Sequence, residues 1–531
     1  MPVKRFLKKT FQGKRSNTDQ EQKSSSPKRL HALLEQNLRE IGEQLGNSSD
    51  ITIRRLRTGL FGEVDAALIY TDGLADNKSV NHLAEALMFQ TREIKQFPED
   101  FPKNDVINLL MRYTLSSGNV KEVNDFESLF SAVLSGDTVV LLEGYVRGMI
   151  VGTKGWEDRG VSEPSSQSVV RGPREAFSES LRTNTALIRR RIKDPRLRLE
   201  QMTIGRVTKT EVALMYLKGI ADEQVLAEAR SRLSRIDIDG VLESGYIEEM
   251  IQDTAISPFP LIYNSERPDV VAANLLEGRV AILVDGTPFV LLIPALFVQF
   301  FQAAEDYYHR FDYGLIRILR LIALIIALLG PGFYISITTF HQEMIPTELL
   351  ISLAAQREGI PFPAFIEALL METTFEILRE AGVRMPRTVG PAISIVGALV
   401  LGDAAVNAGL VSPAMVIVVS ITAISSFVIP AFNMGISLRM IRFLFMIFAA
   451  IFGLMGMTIG IVAMVLHLCS LKSFGAPYMM PLAPFRMKDQ KDVLIRAPMW
   501  RMFSRPSKIS GSNVMRESTR MPTFSGPERK K

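Results

Sequence analysis

The sequence predicts an α+β membrane protein: two tandem soluble α/β lobes followed by an all-α bundle of four transmembrane helices, with five as the alternative count. Three observations carry that expectation. Nearly all long apolar runs fall after Phe289, and the half before it alternates short strand and helix patterns. Four runs in the second half approach the roughly 20 apolar residues that a spanning helix needs. Both ends of the chain are basic. From residue 1 to 30, nine Lys/Arg face two Asp/Glu, and from 484 to 531 twelve face four, so a net charge of +5 conceals an acidic body. The 47% hydrophobic content and mean hydropathy of +0.15 therefore average two regimes.

Residues 1–30 are rich in Lys, Ser and Gln and read as a disordered basic arm. Nothing there has the apolar core of a cleavable signal, so internal spans are expected to direct insertion. The first lobe is placed at 31–134. It opens on the helix LHALLEQNLREIGEQLG, and two short strands, ITIRRLRTG and VDAALIYTDGL, follow with a turn at 71–73. Helical patterns come next at 80–96 and 104–115. The second lobe is placed at 135–288. It opens on a hairpin in which TVVLL (138–142) and YVRGMIV (145–151) flank Glu143–Gly144. A second hairpin pairs RVAILV (279–284) with PFVLLI (288–293) around Asp285–Gly286, a turn sequence that supplies positive φ. SGDTVVLLEG (135–144) aligns with EGRVAILVDG (277–286), a weak internal repeat.

Between the hairpins, a helix is expected from Ser178 to Ile192, crowded on its surface by Arg182, Arg189, Arg190 and Arg191. Those arginines suit docking to acidic lipid or to a neighbouring subunit. A solvated face with local ion pairs is the alternative. TKTEVALMYLKGIA (208–221) reads as a strand followed by a turn, and DEQVLAEARSRLSRI (222–236) as a helix beginning at Asp222.

The membrane domain is placed at 289–483, with spans at Ile318–Phe340, Pro391–Leu410, Pro413–Phe432 and Ile441–Leu468. Phe289–Phe301 is too short to span and reads as a strand entering an interfacial or re-entrant helix. Four spans put both basic tails, including the C-terminal one at 484–531, on the cytoplasmic side against anionic lipid. In residues 346–388, Glu348, Glu367, Glu372, Glu376 and Glu380 alternate with apolar residues at helical spacing, so the segment reads as amphipathic. In the second span Val396, Val400, Asp403 and Asn407 are spaced by four, three and four, so they share one helical face. A carboxylate inside an apolar helix turns toward protein or water, which suits the wall of a water-filled pathway. A snorkelling Asp403 at the membrane surface is the alternative.

No phosphate loop, dinucleotide fingerprint, nucleophile signature or metal-ligand cluster is visible, so neither an enzyme nor a cofactor is expected. The single cysteine, Cys469, permits no internal disulfide. The basic tails are assigned to lipid, not to nucleic acid.

Three long runs carry a family resemblance. They are VVRGPREAFSESLRTNTALIRRRIKDPRL, SPFPLIYNSERPDVVAANLLEGRVAILVDGTPFVLLIP preceded by ESGYIEEMIQD, and EALLMETTFEILREAGVRMPRTVGPAISIVGALVLGDAAVNAGLVSPAMVIVV. Over roughly residues 35–485 the chain resembles the A subunit of the GerA-type spore germinant receptors. The resemblance implies a place in the inner membrane of an endospore, with the N-terminal soluble region cytoplasmic. It implies a transporter-like B subunit and a lipoprotein C subunit as partners. It also implies a homo-oligomer, a pentamer, acting as a nutrient-gated ion channel that triggers germination. Two other readings stay open: a non-conducting scaffold coupling a ligand-binding partner to germination, and a SpoVA-operon F-type paralogue that amplifies ion release.

Overall fold

The computed structural model describes residues 28–58, 64–90, 107, 120–155, 163–309, 314–385, 402–506, 508–511 and 513–516. Most of the basic arm, much of the 80–96 and 104–115 helical patterns, Val396, Val400 and the last residues of the C-terminal tail lie outside them. The chain divides into two compact units, the first holding residues 1–40, 53–70 and 77–154, the second the remainder.

The first unit is built on a five-stranded sheet in the order β1-β2-β4-β5-β3. Its strands are β1 (Ile51–Thr58), β2 (Val64–Thr71), β3 (Val120–Val123), β4 (Thr138–Leu142) and β5 (Gly148–Val151). Helix α1 (Leu34–Leu45) precedes the sheet, and α2 (Asn77–Glu85) and α3 (Phe126–Val133) are inserted in it. The central strand β4 is buried at every position, which explains why TVVLL is a continuous apolar run and not an alternating one.

The second unit repeats the plan. Strands β6 (Leu197–Ile204), β7 (Thr210–Leu217), β8 (Tyr263–Ser265), β9 (Val280–Val284) and β10 (Val290–Ile293) form an antiparallel sheet in the order β6-β7-β9-β10-β8. Helices α4 (Leu181–Arg191), α5 (Glu223–Ser234), α6 (Ser244–Ile251) and α7 (Pro268–Glu277) accompany it. The strand order matches the first sheet position for position, and the two aligned segments fall on the two central strands.

The turns of the repeat also correspond. Each expected two-residue hairpin is a five-residue loop, because the acid at its start is drawn to a helix. Glu143 accepts a hydrogen bond from the backbone N–H of Leu34, the first residue of α1, at 2.7 Å. Asp285 accepts one from Leu181, the first residue of α4, at 2.9 Å. An acid at a helix start satisfies an orphan donor and complements the dipole. Gly144 (φ 85°) and Gly286 (φ 90°) follow, and a Cβ on either would touch nothing. Backbone conformation alone therefore demands glycine there.

The longer helices that follow among the described residues of the second unit are α8 (Ile316–Thr339), α9 (Thr347–Arg357), α10 (Ala364–Arg384), α11 (Pro413–Phe427) and α12 (Phe432–Ser470). Among the described residues α8 and α12 are long and apolar enough to cross a membrane. Only 39% of the residues in their most apolar stretches are buried. Their apolar surface thus faces outward, as a lipid-facing helix requires. Phe297–Phe301, expected to lie at the membrane surface, is a 3₁₀ turn whose Phe300 is buried in the core shared by the sheet and the helix ends.

The run Ile441–Leu468, expected as a single span, is broken at Gly453 (φ 58°, ψ −140°). A Cβ on Gly456 would lie 2.3 Å from the carbonyl of Phe448, and one on Gly460 would lie 2.8 Å from the ring of Phe445. In a straight helix those pairs would be about 12 and 22 Å apart. The chain therefore doubles back at Gly453. Met434 and Leu468, near the two ends of α12, share one core, while Met446 and Met457, on either side of the bend, share another.

After α12 the chain returns to the second sheet. The Ser473 hydroxyl donates to Leu261 O at 2.7 Å, Tyr478 is fully buried, and Arg505 donates to Leu276 O at 2.7 Å. Ser510 forms a β-bridge with Ala221.

Two outcomes follow from this packing. Gly453→Ala places a Cβ in the left-handed region and 2.9 Å from the His341 ring, so it should destabilise the chain by at least about 1–2 kcal/mol, read as a lower unfolding midpoint in detergent. Glu248, half-buried on α6, has its carboxyl pushed up to about 7 by burial and by nearby Glu243, against a hydrogen bond from Asn264. The folded chain then holds a proton that the unfolded chain releases above 4.5, so stability falls as pH rises from there to about 7. Glu248→Gln should remove that slope, stabilising the protein at pH 8 and leaving it unchanged at pH 4.

Candidate functional site

Charged side chains inside the helical half mark the places where apolar packing has been given up for something else. Arg439 and Arg442 lie one turn apart on the first arm of α12, so they share a face. Glu372 and Glu376 do the same on α10. Arg442 Nη2 lies 2.8 Å from Glu372 Oε2, with both side chains 1% exposed, and 3.4 Å from Glu376. Arg439 Nε lies 3.2 Å from Glu376. At the other end of α10, Glu367 pairs with Arg357 at 3.3 Å and accepts hydrogen bonds from the Ser412 N–H and hydroxyl. Ser412 itself caps α11, so one carboxylate joins α9, α10 and α11.

A second polar cluster fixes the start of α8 to the segment before it and to the returning tail. Asp306, fully buried, accepts from Arg317 Nε at 2.7 Å and from Arg320 Nη1 at 2.8 Å. Arg317 reaches Asp492 Oδ1 at 2.7 Å, and Arg496 donates to the carbonyls of Asp306 and His309. The first turn of α8, the segment before it and the returning tail are therefore held by one network.

Asp403 and Asn407 lie on a helical stretch, 402–407, and both are exposed on the single chain. Asn407 Nδ2 donates to Asp403 Oδ2 at 3.1 Å, which places the two on one face, as their spacing predicts. Val396 and Val400 lie outside the described residues. The arginines of α4 divide. Arg182 pairs with Asp72 at 2.5 Å, and Arg190 and Arg191 both pair with Glu175. Arg189 is not on the helix surface. It is 1% exposed and grips Asp50 with Nε at 2.6 Å and Nη2 at 3.0 Å, while Nη2 also reaches the Ser48 hydroxyl. A charge count along the sequence could not tell it from its neighbours, because the distinguishing partner lies far away at Asp50.

The Asp306 network and the Arg442 pairs were missed from sequence. The available signal was weak: two arginine pairs at helical spacing, Arg317/Arg320 and Arg439/Arg442, each inside an apolar run.

Residues 39–508 match the family described as Bacillus/Clostridium GerA spore germination protein. The chain is 51% identical to spore germination protein KA of Bacillus subtilis (strain 168), covering 94% of this chain and 90% of that protein. It is 39% identical to spore germination protein GerLA of Bacillus cereus, covering 89% and 94% respectively. The crystal structure of the N-terminal domain of the A subunit of the Bacillus megaterium spore germinant receptor GerK3 is 43% identical, covers 52% of this chain and 100% of that one, and has a TM-score of 0.41. With the family match running from α1 to the returning tail, the chain belongs to the GerA spore germination protein family.

Proposed function

We propose that this chain is the A subunit of a germinant receptor in the spore inner membrane, and that several copies together form a nutrient-gated ion channel. The observation that carries the reading is the Asp403–Asn407 face. A carboxylate and an amide lie exposed on the single chain within an otherwise apolar segment. Lipid is a poor solvent for such a face, so it turns to water enclosed by sister copies. A ring of Asp403 carboxylates favours cations, and the sequence spacing would put Val400 and Val396 on the same side. No catalytic step is assigned to the chain. The B and C subunits implied by the family resemblance are its partners, and the partly exposed ends of Arg182, Arg190 and Arg191 are offered to a neighbouring subunit.

The path of the chain supports an even number of crossings. It leaves the second sheet at α8 and returns to it after α12. Helices α10 and α11 run in the same direction, since Glu367 meets Ser412 at one end and Phe375 meets Phe427 at the other. An even number accords with four spans and not with five. Charge pairing is what makes α10 admissible in the bundle, since Glu372 and Glu376 are neutralised by Arg442 and Arg439.

A non-conducting scaffold is favoured by one observation, the continuous ion-pair network joining α8 to the segment before it and to the returning tail, which would transmit movement without a pore.

One measurement separates these readings, and a second tests the buried ion pair. The purified full chain in liposomes should pass monovalent cations, and Asp403→Asn should cut that flux about tenfold or more while leaving the oligomer intact by light scattering. A solitary chain, or equal flux in the variant, would sink the channel assignment. Removing one partner of the buried pair, as in Arg442→Met, should destabilise the chain by about 3–5 kcal/mol, and adding Glu372→Leu should recover much of the loss in chemical unfolding.

A further inference from the structure

A cavity of about 350 Å³ lies within the second unit, where β8 and the segment 166–169 meet the ends of α10, α11 and α12. Its wall includes Arg267, Arg379, Phe427 and Phe432. Three features set it apart from a packing defect. The first is an uncompensated cation. Of the three arginines grouped around Glu372 and Glu376, Arg439 and Arg442 hold the carboxylates. Arg379 forms no ion pair among the described residues. It lies 4.9 Å from the centre of the Phe427 ring, and its Nη1 is buried without a hydrogen-bond partner.

The second feature is Arg267, only 1% exposed. Asp269 and two backbone carbonyls take its terminal nitrogens, but its Nε is buried and unbonded. The third is the start of α12. Ala431, its cap, makes no side-chain cap hydrogen bond, and the cap and first turn line the same cavity. Unsatisfied N–H groups at a helix start are suited to an anion. One carboxylate shares the wall, Glu305, and its Oε1 accepts from the Val170 N–H. Phe427 and Phe432 are more than half exposed, 61% and 55%, so the cavity sits beside apolar surface that the chain itself does not cover.

We propose that this cavity binds a phosphate group, held by Arg379 with the α12 N-terminus and Arg267, and that its source is the headgroup of an anionic phospholipid. Guanidinium groups bind phosphate through paired N–H donors, and the exposed phenylalanines suit the adjoining acyl chains. The site is distinct from the Asp403 face and does not depend on conduction.

The test is lipid retention by the detergent-purified full chain. Native mass spectrometry and unfolding midpoints are recorded with phosphatidylglycerol, with phosphatidylcholine, and with inorganic phosphate alone. Phosphatidylglycerol should be retained and should raise the midpoint, and phosphatidylcholine should do neither. Arg379→Gln should weaken retention about tenfold, the loss of one charge-assisted hydrogen bond, and Arg379→Lys should restore part of it. Glu305→Gln should strengthen retention, a gain that misfolding cannot mimic. A midpoint raised as much by inorganic phosphate alone would keep the anion site and overturn its lipid source. Equal retention of the two lipids, or full retention by Arg379→Gln, would overturn the site.

Discussion

Asp306 is the point on which the helical half depends. A carboxyl group with no exposed surface needs partners that repay its lost hydration. Here two arginines from the first turn of α8 do so, and Arg317 is shared in turn with Asp492 from the returning tail. The same constraint recurs deeper in the bundle. Glu372 and Arg442 are each 1% exposed, and neither would be tolerable alone. Low dielectric thus turns sequence-distant charges into fixed joints, and those joints set which helices neighbour which.

The central strands were legible in the sequence because their rules are local, whereas β3, β6 and β8 were not expected and the hairpin β4–β5 belongs to the first sheet instead of opening the second lobe. Turn glycines with positive φ, apolar central strands and Asp222 at a helix start can each be read within ten residues. The repeat was legible for the same reason, since it rests on two matching strand-turn segments. What stayed hidden needed distant partners. Arg189 reads like Arg190 until Asp50 is placed beside it. The bend at Gly453 was masked by a continuous apolar run, and hydropathy does not distinguish one long helix from two short ones folded together. Gly456 and Gly460 were the available hint, since their spacing lets two arms approach closely.

The two halves of the second unit do not have separate interiors. Phe259, Leu261 and Tyr263 from the sheet region share one core with Leu324, Leu328, Met434 and Leu468 from the helices. With that core continuous and the Asp306 network beside it, a displacement of the sheet cannot leave α8 and α12 unmoved. Packed interiors behave as rigid solids on this scale. A signal arriving at the soluble side therefore has a mechanical route into the helices.

Gly278 ends α7 with φ 103°, and a Cβ there would strike Ser510 Cα at 2.9 Å and Ile509 O at 3.0 Å. The bare backbone leaves a slot that the tail fills. That slot is made by residues synthesised early and is closed by residues that leave the ribosome only after every helix has been made. Completion of the soluble core is thereby deferred until membrane insertion is over. A chain truncated before Arg505 would leave the slot beside Gly278 unfilled.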